Sequence, residues 1–364
     1  MKIKSASGRE APAEESPLIL PVSGEEALGE ALGAAVRLLQ RGELIALPTE
    51  TVYGLAADAR NSHAVTKIFL AKERPSFNPI IVHVGSLEMA RECVISWPPE
   101  AEKLARAFWP GPLSIILKRS PLIPDVVTAG GDTVAIRWPA HPIFQKVIRK
   151  CGFPLAAPSA NRSNSISPTT AEHVRSSLGS RIPLILDGGP CAVGIESTVV
   201  DLSAPGEARI LRPGMVSREM IDAALGSKPI TVAVSESHSG AGQTASLKSP
   251  GQLSRHYSPE APLFLISCDS EEDILRFAER QGLKTSEVAL ILTRLEVQGQ
   301  YKLISLLEKE PGAYARALYS TLYQCNERGC KAIIVQTPPR TSQWEGVWDR
   351  LKRASGREVS ESLG

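Results

Sequence analysis

The chain has 364 residues, of which 43% are hydrophobic and 22% charged, and its formal net charge is +2. This composition is ordinary for a globular protein with room for two domains, and the small net charge argues against a protein that coats nucleic acid. No apolar run approaches the roughly 18–20 residues of a membrane-spanning helix, and residues 1–17 lack the apolar stretch of a secretory signal. We therefore expect a disordered N-terminal tail and a cytoplasmic protein without a membrane partner.

Apolar runs with helix or strand spacing follow one another from residue 18 to residue 226. The first predicted helix ends near Gln40 and begins with Ser23 and Glu26 arranged as a capping box. In chain order there follow the strand ELIALP, the helix SHAVTKIFLAK, the strand PIIVHV, the helix EKLARAFW, the strands LSIILK and TVAIRW, the helix HPIFQKVIRKCG, the strand-and-turn units PLAAPSAN, PLILDGG, STVVDL and ARILR, and the helix SREMIDAALG. This alternation predicts an α/β domain over residues 18–226.

The periodic pattern lapses over residues 227–262, where Ser, Gly and Ala are frequent, as is typical of a linker. The cluster of Arg255, His256 and Tyr257 inside it is unusual for a plain spacer. Residues 263–357 again alternate strands (LFLIS, EVALIL, KAIIVQT) with helices (EEDILRFAERQG, AYARALYSTLYQCNERG, WEGVWDRLKRASG). They predict a smaller Rossmann-like α/β domain, followed by a tail at residues 358–364.

Several motifs that would identify a familiar chemistry are absent from the sequence. Six cysteines are present without a C-x-x-C pair. Cys325 and Cys330 lie nearest to each other, but no second pair is nearby, so we expect reduced thiols and no metal site. There is no G-x-x-x-x-G-K-[ST] loop and no G-x-S-x-G elbow. Nucleotide chemistry would therefore depend on positioning and charge neutralisation rather than on a covalent intermediate.

Polar and cationic side chains stand where the first apolar elements end. Residues 49–51 (Thr-Glu-Thr) follow a strand, where side chains commonly line a ligand crevice, although hydroxyl groups in turns also bond local backbone. Lys72 and Arg74 end a helix, where cations are favourable in any case. The same pair, held by Pro75 and followed by Asn78, could also bracket phosphate oxygens.

Two further polar residues interrupt apolar strands. His83 lies in PIIVHV, and a lone histidine in a strand is more often structural than a ligand. Arg137 ends TVAIRW and, if partly buried, needs an anionic partner. Asp132, Glu196 or the carboxylate of a substrate could supply that charge.

Ser159 and Asn161 in PSAN point to one side of an extended segment because side chains alternate along it. They could face a nucleotide or form a turn, and Ser167 follows in the same loop. Glu196, Ser197 and Thr198 precede another strand. Cations at positions 72, 74, 137 and 212 each stand at an element end. This placement predicts a cationic cleft for a ligand with several negative charges.

The runs PTETVYGL, KERPSFNPIIVH, AFWPGPLSIIL, TVAIRWPAHP, APSANRSNSISPT, DGGPCAVGIESTVVDL and ILRPG closely resemble the YrdC-like family of threonylcarbamoyl-AMP synthases. The resemblance covers about residues 20–225, while SPGQLSRHYSP and the C-terminal unit resemble the longer, two-domain members. It implies a YrdC-like twisted mixed sheet with flanking helices that form a concave cationic cleft. The implied reaction joins L-threonine, bicarbonate (or CO2) and ATP into threonylcarbamoyl-adenylate and releases pyrophosphate.

The resemblance also implies site residues and partners. Lys72 and Arg74 match the family's Lys-x-Arg pair and are the implied catalytic residues. The implied threonine-binding residues are Thr49, His83, Arg137, Ala157 and Ser197, and the implied ATP-binding residues are Arg74, Asn78, Thr133, Ser159, Asn161, Ser167, Arg212 and Tyr257, the last as a lid. Mg²⁺ is implied with ATP, without a dedicated protein cage. The implied partners are a tRNA threonylcarbamoyltransferase complex, which would use the product, and tRNA, which this chain could contact weakly.

Two alternatives from other classes remain at this point. An RNA-binding module could use the same concave surface, although the small net charge and the lack of aromatic stacking clusters argue against it. A carbamoyl-transfer maturation factor contains the same fold, but such proteins are longer and carry acylphosphatase and zinc-finger segments. Within the family pattern, Ala56, Ala57 and Asp58 replace a Gly-rich turn, which we interpret as a stiffer loop.

Overall fold

The structure is a computed structural model that describes residues 16–226, 231–232 and 257–355. Most of the predicted N-terminal tail, most of the predicted linker and the C-terminal tail lie outside the described residues. Within the described part, the strands form two sheets, one in each predicted α/β unit. None of the described helices is long and apolar enough to cross a membrane.

The larger sheet contains eleven strands and mixes parallel with antiparallel pairs. They are β1 (Leu18–Pro21), β2 (Ile45–Leu47), β3 (Gly54–Asp58), β4 (Val82–His83), β5 (Leu113–Lys118), β6 (Thr133–Arg137), β7 (Leu155–Ala156), β8 (Leu184–Asp187), β9 (Thr198–Asp201), β10 (Arg209–Arg212) and β11 (Thr231–Val232). Their spatial order is β1-β8-β2-β3-β7-β4-β6-β5-β9-β10-β11. The flanking helices are α1 (Glu25–Gln40), α2 (Ser62–Lys72), α3 (Leu87–Glu92), α4 (Pro99–Phe108), α5 (Asp125–Thr128), α6 (Pro142–Cys151), α7 (Ala171–Leu178) and α8 (Arg218–Leu225).

The smaller sheet has four strands, which are β12 (Leu263–Ile266), β13 (Val288–Leu292), β14 (Leu303–Leu306) and β15 (Ala332–Gln336). They pair only in parallel, in the order β12-β15-β13-β14. The helices α9 (Glu271–Arg280), α10 (Pro311–Glu327) and α11 (Glu345–Ser355) connect or follow them. A parallel sheet joined by helices is the Rossmann-like arrangement that the sequence predicted.

Local signals explain where several helices begin and end. The side chain of Asn61 caps α2 by accepting hydrogen bonds from two backbone N–H groups. Pro142 opens α6, and Gly152, with φ +71°, ends it. A proline in the first turn and a glycine after the last turn are favoured positions because one lacks an N–H and the other tolerates positive φ.

Two sequence predictions are wrong in detail. Helix α1 is capped by Gly24, which has φ +86°, and no side chain caps it, so Ser23 and Glu26 form no capping box. Residues 54–58 are strand β3 and not a stiffened loop, because they pair with β2 on one side and β7 on the other. The two alanines fit there because both positions are fully buried.

The two units pack closely against each other. One apolar cluster joins Val52, Ile166 and Ile195 of the first unit to the helices and sheet of the second. Two glycines make the approach close, since a Cβ at Gly194 would lie 2.4 Å from the backbone of Arg316, and a Cβ at Gly346 would lie 2.9 Å from the backbone of Gly214.

Replacing Gly346 by alanine should therefore destabilise the protein. The added methyl group meets backbone and not a movable side chain, so we expect a loss of about 1–3 kcal/mol in the free energy of unfolding, measured by urea titration. Gly29→Ala in α1 is the control, since a Cβ there meets nothing within 4 Å and should stabilise the helix. Equal stability of the Gly346 variant and the original chain would contradict the close packing.

Candidate active site

A cavity of about 520 Å³, partly open to solvent, lies where several strand ends meet. It is lined by Thr49, Thr51, Val52, Gly54, Arg74, Ile81, His83, Arg137, Ala157, Pro158, Ser159, Glu196, Arg212 and Tyr257. The sheet explains this convergence: His83 and Arg137 are register partners at the ends of parallel strands β4 and β6. Gly54 at the start of β3 forms a bridge with Ser159.

The cavity brings together most of the residues predicted to bind ligand, but not all of them. Six of the predicted residues are absent from its lining: Lys72, Asn78, Thr133, Asn161, Ser167 and Ser197. Thr133 begins β6 whereas Arg137 ends it, which separates them by about 13 Å at the usual strand rise. Conversely, Val52, Gly54, Ile81 and Pro158 line the cavity without having been predicted, since apolar side chains and glycine give no signal of ligand contact.

Arg137 is buried beside Glu50, whose Oε1 lies 2.7 Å from Nη2 of the guanidinium. These two atoms are close without the alignment of a hydrogen bond. The Nη1 group donates to the Thr51 hydroxyl at 2.8 Å. Of the three partners that the sequence left open for Arg137, Asp132 and Glu196 are wrong, since Asp132 lies at the other end of β6 and Glu196 is bonded to Arg350. The carboxylate of a substrate stays a prediction.

The hydroxyl groups after β2 form a turn. Thr49 Oγ1 donates to the carbonyl of Val52 at 2.7 Å and accepts the backbone N–H groups of Thr51 and Val52. This is the local turn chemistry that the sequence left open, yet both threonines also line the cavity. The turn thus fixes two hydroxyl groups at the cavity wall.

Lys72 lies behind the wall, with only 1% of its surface exposed. Its Nζ donates to the carbonyl oxygens of Ser159 and Asn161 and to the side-chain oxygen of Asn161. Burial, with a smaller contribution from Arg74, lowers the pKa of Lys72 well below its usual value. Lys72 therefore anchors the segment that carries Ser159 and Asn161.

Arg74 reaches the cavity from the loop after α2. Its guanidinium donates to the carbonyls of Asn78 and Pro79, at 3.1 and 2.7 Å. Burial, the largest cause, and the nearby charge of Arg212 lower the pKa of Arg74 to about 10, so it remains charged at neutral pH. The side chain of Asn78 is fully buried, and its amide makes no hydrogen bond to the described residues. A buried amide without a partner is costly unless a water or ligand supplies one.

His83 is neutral in the folded protein. Burial, and secondly the charge of Arg137, lower the pKa of His83 well below its usual value. The ring packs 5.1 Å from that of Phe144, and its Nδ1 makes no hydrogen bond among the described residues. A neutral ring at the cavity wall can accept or donate one hydrogen bond without adding charge.

The stability of the protein should fall as the pH drops below about 6.5. Below that value the unfolded chain protonates His83 whereas the folded chain does not, so each such histidine removes up to about 1.4 kcal/mol per pH unit. His83→Gln should reduce this slope, measured by urea unfolding at about pH 5 and pH 7. His63→Gln is the control because His63 is exposed. An unchanged slope in the His83 variant would mean that the buried ring is protonated in the folded state.

Glu196 occupies the centre of a buried polar network at the junction of the two units. Its carboxylate accepts hydrogen bonds from the Ser167 hydroxyl at 2.5 Å, from the Tyr319 hydroxyl at 3.0 Å and from Arg350 Nε at 2.7 Å. Burial alone would raise the pKa of Glu196, but Arg350, Arg212 and Ser167 outweigh it and lower the pKa to about 2. Ser167, predicted to touch the nucleotide, is thus bonded to Glu196.

Arg212 and Tyr257 complete the wall on that side. Arg212 donates to the backbone carbonyl and the hydroxyl of Ser197, at 3.0 and 3.1 Å, and Ser197 also bonds the Ser114 hydroxyl. Tyr257 is 1% exposed, with its ring 5.9 Å from that of Tyr319. The aromatic residue predicted as a lid therefore packs against the C-terminal unit.

The described residues contain no group of three or more His, Cys, Asp or Glu side chains that could hold a metal ion. Glu50 and Glu196 are the carboxylates in the cavity wall, and each faces an arginine. This donor set does not fit a resident metal, which normally takes several free oxygen ligands.

Comparison with known proteins shows to which family this chain belongs. Residues 37–214 match the family model described as "Telomere recombination", and residues 216–356 match the one described as "Threonylcarbamoyl-AMP synthase, C-terminal domain". The threonylcarbamoyl-AMP synthase of Bacillus subtilis (strain 168) is 38% identical over 90% of this chain and 94% of its own length. This chain belongs to the threonylcarbamoyl-AMP synthase family. The predicted resemblance and the predicted type of enzyme are thereby confirmed.

A solved structure of a relative confirms the fold. The crystal structure of P. abyssi Sua5 complexed with L-threonine superposes with a TM-score of 0.84 at 34% identity, covering 94% of this chain and 98% of that one. The threonylcarbamoyl-AMP synthase of Pyrococcus abyssi (strain GE5 / Orsay) is 37% identical over 89% of this chain. Because these matches span both units, the chain has the long, two-domain form of the family.

Proposed function

We propose that this chain synthesises L-threonylcarbamoyl-adenylate from L-threonine, bicarbonate (or CO2) and ATP, with release of pyrophosphate. This would be the first step in forming threonylcarbamoyladenosine in tRNAs that decode ANN codons. The observation that supports it best is the cavity wall, where three buried guanidinium groups (Arg74, Arg137 and Arg212) face one space. A carboxylate, a carbamate and a triphosphate together carry the negative charges that such a wall would bind.

The threonine end of the site is assigned to Arg137, His83 and the Thr49 turn. The Nη2 group of Arg137 makes no aligned hydrogen bond to the described residues, so the substrate carboxylate would dock at that edge of the guanidinium. It would then compete with Glu50 for Arg137. The hydroxyl of Thr49 and the backbone at Ala157 are further groups proposed to hold threonine. The Ser197 hydroxyl is a third, which would require a change from the described conformation because Ser197 does not line the cavity.

The nucleotide end is assigned to the part of the wall that carries Arg74, Arg212, Ser159 and Tyr257. Arg74 and Arg212 would neutralise the phosphates as pyrophosphate departs, which is where charge builds up during transfer. Ser159 and Tyr257 would line the nucleotide. Asn78, with its unpartnered amide, and Thr133, Asn161 and Ser167 are proposed nucleotide contacts that would require a change from the described conformation, since none of them lines the cavity.

Lys72 is proposed to act through the segment it anchors. Its ammonium group donates to two carbonyls of the segment 159–161, which lies at the nucleotide side. In this role Lys72 positions the wall and leaves direct phosphate contact to Arg74 and Arg212.

The reaction would begin when the threonine amine reacts with bicarbonate and loses water, or adds to CO2 and loses a proton, to give a carbamate. One carbamate oxygen attacks the α-phosphate, and pyrophosphate leaves from the opposite side. Because the carbamate of the substrate is itself the nucleophile, the protein would contribute orientation and charge neutralisation. Mg²⁺ would enter as part of the MgATP substrate, because the carboxylates of the wall are both paired with arginines. The product would pass to a separate transferase that acts on tRNA.

Pyrophosphate release from ATP and bicarbonate tests this function. We expect release with L-threonine and little release with L-serine, whose side chain lacks the methyl group. A chain that binds ATP but releases no pyrophosphate with threonine would contradict the proposed enzymatic activity. In that case, RNA binding by the same surface becomes the better hypothesis.

A further inference from the structure

Arg350 belongs to helix α11 of the C-terminal unit, yet its bonds reach into the first unit. The side chain is fully buried. Its Nε donates to the Glu196 carboxylate at 2.7 Å, its Nη2 to the Glu196 carbonyl at 3.0 Å and its Nη1 to the Pro213 carbonyl at 2.8 Å. One rigid guanidinium thus holds two separate stretches of the first unit, as the planar fork of an arginine can do.

Those two stretches carry groups of the cavity wall. Glu196 precedes Ser197, and Pro213 follows Arg212, whose own guanidinium donates to Ser197. Arg350 therefore fixes the spacing between the start of β9 and the end of β10. The close approach of Gly346 to Gly214 brings α11 directly onto this part of the wall.

The positive charge of Arg350 also compensates the negative charge of Glu196 in the cavity wall. The Glu196 carboxylate lines the cavity and is ionised. Arg350 lies in direct contact with it and 5.4 Å from the ring of Tyr257. Without that cation, a less compensated negative charge would face the space where the triphosphate is proposed to bind, and like charges repel there.

We infer that Arg350 is a positioning residue for nucleotide binding, through Glu196 and the Arg212 segment, so that the C-terminal unit is a working part of the active site. This inference rests on the proposed function only in taking the cavity as the ATP site. Threonine is proposed to bind mainly through Arg137, and Ser197 is its one proposed contact in the stretch that Arg350 holds, so its binding should weaken by a smaller factor than that of ATP.

The test measures the dissociation constants of ATP and L-threonine by calorimetry, together with turnover and melting temperature. We expect Arg350→Met to weaken ATP binding by about tenfold or more and to weaken threonine binding by a clearly smaller factor, because Ser197 is the one proposed threonine contact in the stretch that Arg350 holds. Arg350→Lys should recover part of the ATP affinity, because it keeps the charge but loses the fork. Because a lone buried carboxylate can unfold the chain, the same comparison is made between Glu196→Gln and the double variant Glu196→Gln/Arg350→Met.

Phe277→Leu is the control for loss of stability alone. Phe277 is buried in the apolar cluster on the other face of the C-terminal sheet, so it should lower the melting temperature without changing ATP affinity. Normal ATP binding in the Arg350 variants, or an equal loss in the Phe277 variant, would overturn the inference. A chain that binds ATP without threonine-dependent turnover would contradict the proposed function. The role of Arg350 is still decided in that case by comparing the ATP affinity of each Arg350 variant with that of its parent chain.

Discussion

Arg137→Met should weaken the binding of threonine at least about thirtyfold while ATP still binds. Arg137 is the cation at the proposed threonine wall and is 4% exposed, so a carboxylate docked on it is well shielded from water. Truncating one partner of such a buried, hydrogen-bonded charge pair typically weakens binding by about 2–5 kcal/mol. We therefore expect threonine affinity to fall at least about thirtyfold, measured by calorimetry, with pyrophosphate release falling in parallel.

The variant needs a partner substitution because it also leaves Glu50 without its cation. Losing one member of a buried pair can destabilise a protein by about 3–5 kcal/mol, so the decisive comparison is Glu50→Gln/Arg137→Met against Glu50→Gln. Arg119→Met is the matched control, since Arg119 bonds carbonyls of its own loop and lies outside the cavity lining. Threonine affinity that survives in the double variant would remove Arg137 from the substrate site.

Lys72→Met should reduce both stability and nucleotide binding. The sequence suggests a lysine at a helix end, whose removal would cost about 0.3–1 kcal/mol. The structure buries it with bonds to the carbonyls of Ser159 and Asn161. Each carbonyl left without a donor costs about 1–3 kcal/mol. We therefore expect a loss of about 2–6 kcal/mol in the free energy of unfolding, measured by urea titration.

ATP affinity should fall in the Lys72 variant as well, because the released segment 159–161 forms part of the proposed nucleotide wall. Lys67→Met is the control on the same helix. Lys67 makes a partly exposed ion pair with Glu43, and such pairs contribute about 0–1 kcal/mol. Stability equal to that of the Lys67 variant would show that the Lys72 bonds do not hold the wall.

The sequence was a good guide to elements with long, strongly periodic apolar runs. Helix α2 covers Ser62–Lys72, the full predicted stretch, and α6 ends at the predicted Gly152. Shorter elements were missed: β1, β14 and α7 were not predicted, and β3 was interpreted as a loop. These elements are only four to eight residues long, and such short segments do not distinguish strand, helix and turn without tertiary contacts.

The candidate site, like the fold, was predicted from the sequence only in part. Residue types at element ends pointed to a cationic wall, because an arginine at the end of an apolar strand has few other uses. The partners of those arginines could not be read from spacing. Glu50 and Arg137 are 87 positions apart and meet only because β2 and β6 belong to one sheet. Glu196 and Arg350 meet only because two domains pack together.

The central claim is that one cavity joins threonine, bicarbonate and ATP in a single product. It is tested most directly by incubating the chain with MgATP, L-threonine and ¹³C-bicarbonate and analysing the nucleotide products by mass spectrometry. We predict an adenylate that carries both threonine and one ¹³C-labelled carbonyl, formed together with pyrophosphate and absent from the Arg137 variant. An adenylate that lacks the labelled carbon, or threonine-independent conversion of ATP alone, would contradict the account.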